Sequence, residues 1–168
     1  QPQAHDGTGY TLQLANGALL AERCGITTVC DFRSADVAAG GQGAPLVPAF
    51  HAAVFAQAGT DIAVLNVGGI ANLTLLHADG RVAGFDTGPG NVLLDLWCRR
   101  TRNRAYDDGG AMAASGRVQA DLQSRLLAEA YFNRRPPKSS GRDLFHADWL
   151  DRSQPAGRDV DVMASMAE

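Results

Sequence analysis

The stretch Val82-Ala-Gly-Phe-Asp-Thr-Gly-Pro-Gly-Asn91 leads directly into Val92-Leu-Leu-Asp-Leu-Trp-Cys98, and the rest of the chain is arranged around this junction. The apolar start of the first stretch is typical of a buried strand. Gly88-Pro-Gly90 predicts a tight turn, because glycine admits positive φ and proline fixes its own φ. Asn91 is a favourable helix N-cap, and apolar residues then recur at helical spacing, so we expect a helix over 92–100.

Asp86 occupies the predicted junction between this strand and the glycine turn. Free backbone N–H groups and the positive end of a helix dipole are expected there, and both favour a phosphate. A carboxylate beside such an anion site is a candidate for catalysis. The alternative is that Asp86 only accepts hydrogen bonds from N–H groups of its own turn.

Composition excludes several classes of protein. The chain has 168 residues, which suits one domain or parts of two, and its hydrophobic fraction of 45% is ordinary for a globular protein. A net charge of −3 does not indicate a nucleic-acid surface. No apolar run approaches the ~20 residues that span a bilayer. Cys24, Cys30 and Cys98 lack Cys-x-x-Cys spacing and are typical of reduced thiols in a cytosolic protein.

The first third of the chain is interpreted as a small crossover unit. Residues 1–9 are polar and predict a loop, and the alternating segment 10–15 predicts a strand. Asn16 is expected to cap a helix that Gly25 closes, and 26–32 predicts a second strand. Strand, helix and strand in this order are typical of a parallel crossover.

The segment 31–45 mixes charges with glycines, has no apolar period, and is predicted to be an ordered loop. Asp31, Arg33, Asp36 and Gln42 carry groups that hydrogen-bond the hydroxyls or amide of a polar substrate. The alternative is a solvated loop in which Arg33 pairs with Asp36, and spacing alone leaves both open.

A helix with an apolar stripe is predicted over 48–55, and 57–61 is predicted to be a hinge between two lobes. The domain division that follows places 1–58 in part of a first lobe and 59–168 in part of a second. His51 on that helix is more typical of a packed or surface residue than of a catalytic one.

Residues 62–86 predict a three-stranded meander, interrupted by Gly68-Gly69 after its first strand. Glycines at such a place indicate a bulge or a close approach of the backbone to a ligand. The P-loop, the dinucleotide-binding fingerprint and the Gly-x-Ser-x-Gly elbow are all absent.

Downstream, Asp107 and Asp108 precede two glycines and indicate turn chemistry more than a metal site. For Lys138 and Arg142 two interpretations stay open: either their side chains contact an anion, or they are solvated. An apolar face is predicted on the helix after residue 116, and the apolar segment 144–150 is expected to pack on the second lobe. The face consists of Val118, Leu122, Leu126 and Leu127.

Six stretches in order resemble the anhydro-N-acetylmuramic acid kinases, and together they cover nearly the whole chain. The resemblance implies an α/β, actin/hexokinase-like fold of two ribonuclease H-like lobes with ATP in the cleft, both lobes being incomplete here. The stretches are Thr11-Leu-Gln-Leu14, Asp31-Phe-Arg33, Asp36-Val-Ala-Ala-Gly-Gly-Gln-Gly-Ala-Pro-Leu-Val-Pro48, Leu65-Asn-Val-Gly-Gly-Ile-Ala-Asn72, Gly84-Phe-Asp-Thr-Gly-Pro-Gly-Asn91 and Pro137-Lys-Ser-Ser-Gly-Arg142.

The resemblance also implies a reaction. Water opens the 1,6-anhydro bond of anhydro-N-acetylmuramic acid while O6 takes the γ-phosphoryl group of ATP, which gives N-acetylmuramic acid 6-phosphate. The implied cofactors are ATP and Mg²⁺, and the implied partners are the amino sugar and ATP. Whether the protein forms a homodimer is left open. The implied setting is cytoplasmic recycling of the bacterial cell wall, with neither nucleic acid nor membrane involved.

By the same resemblance, Asp86 is the base that activates the water. The resemblance implies that Asn66-Val-Gly-Gly69 is a phosphate turn of the second lobe. The residues implied to bind the nucleotide are Asn66, Gly68, Gly69, Asn72 and Gly88. The residues implied to line or close the sugar site are Asp31, Arg33, Asp36, Gln42, Gly43, Gly90 and Asn91. No residue is assigned to a metal.

The chain also departs from the family pattern. It lacks the N-terminal Gly-Thr-Ser phosphate loop, the His-Gly-Gln-Thr segment and the C-terminal glycine-rich nucleotide segment. We therefore expect it to be an internal piece of a longer protein, inactive alone. Two alternatives are a non-catalytic sugar-binding module and an ATP-independent glycoside-cleaving enzyme that uses Asp86 and Asp31 as its two carboxylates.

Overall fold

A computed structural model describes residues 10–168, which form eight α-helices and one three-stranded sheet. The loop predicted for residues 1–9 lies outside these described residues. The helices are α1 (Gly17–Cys24), α2 (Phe32–Ala38), α3 (Pro48–Phe55), α4 (Val92–Arg102), α5 (Ala111–Ala114), α6 (Ala120–Leu127), α7 (Ala147–Arg152) and α8 (Asp159–Ala167). The strands are β1 (Ile62–Val67), β2 (Ile70–Leu76) and β3 (Val82–Pro89), and 3₁₀ turns lie at Asp108–Gly110 and Ala130–Asn133.

The sheet confirms the predicted meander, since β1, β2 and β3 follow one another in antiparallel order. β3 continues to Pro89, beyond its predicted end at Asp86, because residues 88 and 89 still pair with β2. Asn66, Asn72 and Asp86 lie directly opposite one another across the three strands. Opposite residues share a face of an antiparallel sheet, so these three polar side chains form one row.

The predicted helix after Asn16 is confirmed with both of its caps. The Asn16 side chain accepts a hydrogen bond from the backbone N–H of Leu19 at 2.9 Å. Gly25 follows α1 in the left-handed conformation, and its N–H donates to the carbonyl of Ala21 at 2.9 Å. Local capping chemistry was therefore sufficient to place this helix.

The two strands of the predicted crossover unit are wrong, because residues 10–16 and 25–31 form no strand. A strand needs a neighbour for its N–H and C=O groups, and the sheet in residues 10–168 provides none here. The apolar side chains of these segments are accordingly exposed. They are Leu12, Leu14, Ile26 and Val29.

The segment 31–45 is also more regular than predicted, because α2 occupies much of it. Asp31 stands at the N-cap position with a φ of +62°, which ends any extended conformation and turns the chain into the helix. Only the second half of the segment is a loop.

The helix predicted over 48–55 is confirmed as α3, and it packs on β2 and β3. A Cβ on Gly84 would lie 2.3 Å from Cγ of Pro48, so glycine is required for this contact. His51 is buried, and its Nδ1 lies 2.9 Å from Oγ1 of the buried Thr74. α3 therefore covers the sheet face that also carries Asp86.

The main core lies between α4, α6, α7 and α8, as predicted for the apolar residues of 92–100 and 144–150. Trp97 of α4 donates from Nε1 to the carbonyl of Asp159 at 3.0 Å, which ties α4 to the start of α8. Its buried members are Leu93, Trp97, Cys98, Leu122, Leu126, Tyr131, Phe145, Trp149, Leu150, Val162 and Met163.

The predicted apolar face of α6 is confirmed in part. Leu122 and Leu126 are buried, but Val118 and Leu127 are exposed. α6 begins only at Ala120, so Val118 lies outside it, and Leu127 is turned about 100° away from Leu126. None of the helices in residues 10–168 has the length and apolar character needed to cross a membrane.

Candidate active site

Asp86 on β3 is the best-anchored polar residue of the site, with only 5% of its surface exposed. Its N–H donates to the carbonyl of Lys138 at 3.1 Å, and its own carbonyl accepts from the hydroxyl of Tyr131 at 2.7 Å. The backbone N–H of Ser140 donates to Oδ2 of the carboxylate at 2.9 Å. These three hydrogen bonds fix both the backbone of Asp86 and the direction of its carboxylate.

Burial raises the pKa of Asp86, and the Ser140 hydrogen bond and the Arg33 guanidinium oppose this rise without cancelling it. A carboxylate with a raised pKa is a stronger base than an ordinary aspartate and suits proton abstraction. The alternative, in which Asp86 only caps its own turn, is wrong, because Ser140 lies 54 residues away in sequence.

Arg33 and Asp36 both hold the peptide group of Gly43. An Arg33 Nη1 N–H donates to the Gly43 carbonyl, and the Gly43 N–H donates to Oδ2 of Asp36 at 2.6 Å. Gly43 has a φ of +72°, and a Cβ on Gly41 would lie 2.3 Å from the Asp36 carboxylate. The Arg33–Asp36 pair of the alternative interpretation does not form; both side chains bind the Gly43 peptide group instead.

The other two polar residues of this segment are placed differently. Asp31 is exposed, and its Oδ1 accepts a hydrogen bond from the Ser34 hydroxyl at 2.5 Å. Gln42 is half-buried, and its side-chain amide makes no hydrogen bond within the described part of the chain. The Arg33 guanidinium acts on the Asp86 carboxylate and lowers the pKa of that group.

The Gly68-Gly69 turn and the start of α4 are joined by their backbones. The N–H groups of Gly90 and Val92 donate to the Gly69 carbonyl at 3.0 and 3.2 Å, and the Asn91 N–H donates to the Gly68 carbonyl at 2.9 Å. A Cβ on Gly90 would lie 2.2 Å from the Gly68 oxygen, so the two segments approach as closely as glycine allows.

These contacts correct two expectations about the start of α4. Asn91 stands at the N-cap position, but its side chain makes no capping hydrogen bond. The carbonyls of the glycine turn already satisfy the N–H groups of Asn91 and Val92, which were expected to be free. Around the glycine turn and the start of α4, the N–H groups of Gly68, Gly69, Leu93 and Leu94 have no acceptor among residues 10–168.

Asn72 lies between Asn66 and Asp86 in the polar row of the sheet. Its Oδ1 is buried and has no hydrogen-bond partner within the described residues, whereas Asn66 on the edge strand is exposed. Buried acceptors are normally satisfied. A donor on a bound ligand would satisfy this oxygen.

A cleft of about 390 Å³ opens beside the end of β3 and the start of α4. Gly88 lines it with a φ of +152°, and a Cβ there would lie 2.6 Å from the Phe132 ring. Leu93, Leu94 and Phe132 form apolar parts of its wall. An apolar cleft beside free N–H groups is suited to a ligand with one flat apolar part and one anionic part.

Three residues that hold Asp86 were missed by the sequence prediction, namely Tyr131, Lys138 and Ser140. Lys138 was expected to bind an anion or to be solvated, but it is buried and its ammonium group donates to backbone carbonyls. One feature of the sequence could have drawn attention to Lys138, since it is the single lysine among the 15 lysine and arginine residues. No cluster of three or more potential metal ligands occurs in residues 10–168.

Comparison with known proteins identifies relatives along the whole chain. The family model for anhydro-N-acetylmuramic acid kinase matches residues 1–168. The chain is 55% identical to the anhydro-N-acetylmuramic acid kinase of Cupriavidus metallidurans, with 99% of this chain and 46% of the relative covered. It is 60% identical to that of Bordetella petrii, with 94% and 43% covered, and 55% identical to that of Pseudomonas putida, with 95% and 45% covered.

The chain spans about half the length of the curated relatives it matches. The Asp86 site, the glycine turn and the buried Lys138 all lie within the matched region. The chain belongs to the anhydro-N-acetylmuramic acid kinase family.

Proposed function

We propose that the whole protein is an ATP-dependent sugar kinase acting on 1,6-anhydro-N-acetylmuramic acid. In this reaction water adds to the anomeric carbon, the bond from that carbon to O6 breaks, and O6 takes the γ-phosphoryl group of ATP. The products are N-acetylmuramic acid 6-phosphate and ADP. The observation that carries the proposal is the Asp86 carboxylate, which is buried and held at Oδ2 by the backbone N–H of Ser140.

Asp86 acts as the general base. Its carboxylate takes a proton from the attacking water, while the Ser140 N–H holds Oδ2 and so fixes the direction of the carboxylate. Because burial raises the pKa of this group, it accepts the proton more readily than an exposed aspartate does. The Arg33 guanidinium opposes this rise in pKa, because a nearby positive charge favours the ionised carboxylate.

The glycine turn fits the phosphates of ATP. Gly68 and Gly69 present N–H groups without a protein acceptor in residues 10–168, and Leu93 and Leu94 present two more at the positive end of the α4 dipole. ATP supplies the phosphoryl group when it is bound. Mg²⁺ is proposed to accompany the phosphates, because phosphate oxygens are ligands that Mg²⁺ commonly takes in kinases.

The loop after α2 is proposed to contact the sugar. Arg33 uses one N–H on Gly43 and has further N–H groups for hydroxyl or carboxylate oxygens. The Gln42 amide is available in the same loop, and Asp36 keeps the loop in shape through Gly43. We propose roles in sugar binding for Asp31, Gly90 and Asn91 as well, and roles near the nucleotide for Asn66, Asn72 and Gly88.

We also propose how the whole protein is divided into lobes and where it acts. Residues 1–58 and 59–168 would belong to two ribonuclease H-like lobes of an actin/hexokinase-like fold, with ATP between them. We propose that the protein acts in the cytoplasm, in amino sugar metabolism and peptidoglycan recycling. The assembly that we propose for it is a homodimer. The comparisons favour neither the sugar-binding module nor the ATP-independent enzyme.

The test is ADP release by the full-length protein, supplied with 1,6-anhydro-N-acetylmuramic acid and Mg²⁺-ATP. We expect release that depends on the sugar and falls by orders of magnitude in Asp86→Asn. Sugar-dependent release that survives the substitution would remove Asp86 from the mechanism. An absence of sugar-dependent release would overturn the proposed reaction.

A further inference from the structure

Lys138 is an unusual residue for this chain. The other 14 basic residues are arginines, most of them exposed, whereas this lysine has only 9% of its surface exposed. Its Nζ donates to the carbonyls of Tyr131 and Phe132 at 3.2 and 3.3 Å and lies 4.7 Å from the centre of the Tyr131 ring. Burial of an ammonium group is costly, and it is tolerated here because carbonyls and a π face replace water.

Two separate segments hold Asp86. The first is the 3₁₀ turn Ala130–Asn133, from which the Tyr131 hydroxyl donates to the Asp86 carbonyl. The second is 138–140, in which the Lys138 carbonyl accepts the Asp86 N–H and the Ser140 N–H holds the carboxylate. The N–H, the carbonyl and the carboxylate of one residue are therefore each fixed from outside β3.

The Lys138 ammonium group connects these two segments, because its backbone lies in the second and its acceptors lie in the first. A compact ammonium group can reach two adjacent carbonyls at once, whereas a planar guanidinium group requires acceptors in its own plane. The aromatic cluster anchors the first segment, since the Tyr131 and Phe132 rings pack on Phe145 at 5.8 Å. The second segment has no comparable apolar anchor at residues 138–140.

We propose that Lys138 is a positioning residue for Asp86, whose ammonium group ties segment 138–140 to the Tyr131 turn and thereby fixes the carboxylate. The inference rests on the proposed function, in which Asp86 is the base. Lys138 itself does not touch the reacting atoms in this proposal. Its loss would let Ser140 withdraw from Oδ2, which misdirects the carboxylate and removes a hydrogen bond that lowers the pKa of Asp86.

The experiment compares Lys138→Met with wild type in the full-length protein, using sugar-dependent ADP release. Methionine keeps the unbranched length of the side chain and removes the charge. Arg135→Met is the matched control, since it removes an exposed positive charge three residues away. We expect kcat of Lys138→Met to fall roughly 10- to 100-fold, with KM for the sugar changed less than about threefold. The acid limb of the kcat/KM profile of Lys138→Met should move to higher pH. Arg135→Met should match wild type in kcat, in KM for the sugar and in the position of the acid limb.

A purely structural role predicts a different result. Lys138→Met would then unfold more easily, but its folded fraction would keep the wild-type kcat and pH profile, and this would overturn the inference. If Lys138→Met does not fold, Tyr131→Phe replaces it, because removing one hydroxyl releases the Asp86 carbonyl and leaves the ring packing intact. If Tyr131→Phe has the wild-type kcat and an acid limb at the wild-type pH, the inference is likewise overturned.

Asp86→Asn, measured beside these variants, separates this inference from the proposed function. Loss of activity in Asp86→Asn together with full activity in Lys138→Met overturns the role of Lys138 alone. Full activity in Asp86→Asn overturns both, because there is then no base to position.

Discussion

Replacing Gly90 with alanine should separate the start of α4 from the Gly68-Gly69 turn. The new Cβ would lie 2.2 Å from the Gly68 oxygen, and real Cβ atoms essentially never approach within 3.0 Å, so the two segments must part by at least 0.8 Å. The three backbone hydrogen bonds between them, at 2.9 to 3.2 Å, would stretch beyond hydrogen-bonding range. At about 1 kcal/mol each, their loss lowers the free energy of unfolding of this region by about 3 kcal/mol.

Gly69→Ala is the matched control, because its Cβ would meet nothing closer than 3.9 Å and its φ is not positive. Hydrogen exchange of the full-length protein, followed by mass spectrometry on peptides that cover 88–94, measures the effect locally. We expect exchange to accelerate roughly 100-fold in Gly90→Ala, and at most about fivefold in Gly69→Ala. Equal rates in the two variants would refute the close approach of the glycines on which the phosphate turn depends.

Three further predictions concern the charge and the packing around the site. Arg33→Met should raise the pKa of Asp86 further and move the acid limb of the kcat/KM profile to higher pH, whereas Arg33→Lys, which keeps the positive charge, should keep the wild-type profile. An acid limb that does not move in Arg33→Met would contradict the electrostatic role of Arg33. The raised pKa of Asp86 makes the folded wild-type protein lose stability as pH rises through that pKa. Asp86→Asn should therefore melt at a higher temperature than wild type at neutral pH, and at the same temperature below the ordinary aspartate pKa of 3.8. A lower melting temperature of Asp86→Asn at neutral pH would contradict this prediction. Thr74→Val should leave the buried His51 Nδ1 without a partner and cost about 1–3 kcal/mol in urea unfolding, with Thr74→Ser as the control that keeps the hydroxyl.

The elements that could be predicted from the sequence are those whose signals are local. Asn16 and Gly25 specify both ends of α1 by their own hydrogen bonds and conformation. The Asp79-Gly80 turn and the glycine pair at 68–69 specify the meander in the same way. Asp86 lies at the end of a predicted strand that the structure contains, and it is buried there, but its role as base stays a prediction.

The elements that could not be predicted depend on distant partners. Segments 10–15 and 26–31 have strand-like sequences, but no strand of the described residues pairs with them. Asp31 adopts a positive φ and precedes α2, and the spacing of apolar residues does not indicate this helix start. The contact between Asp86 and Ser140 spans 54 residues, so no local pattern around Asp86 could indicate it.

The burial of the single lysine has a practical consequence for proteolysis. An endoprotease specific for lysine has one cleavage point in this chain, the bond from Lys138 to Ser139, and the folded structure shields that side chain. Cutting there requires the segment to open first, so its rate reports how often the segment opens. The appearance of the resulting fragments would follow these openings in the intact protein without any substrate, dye or substitution.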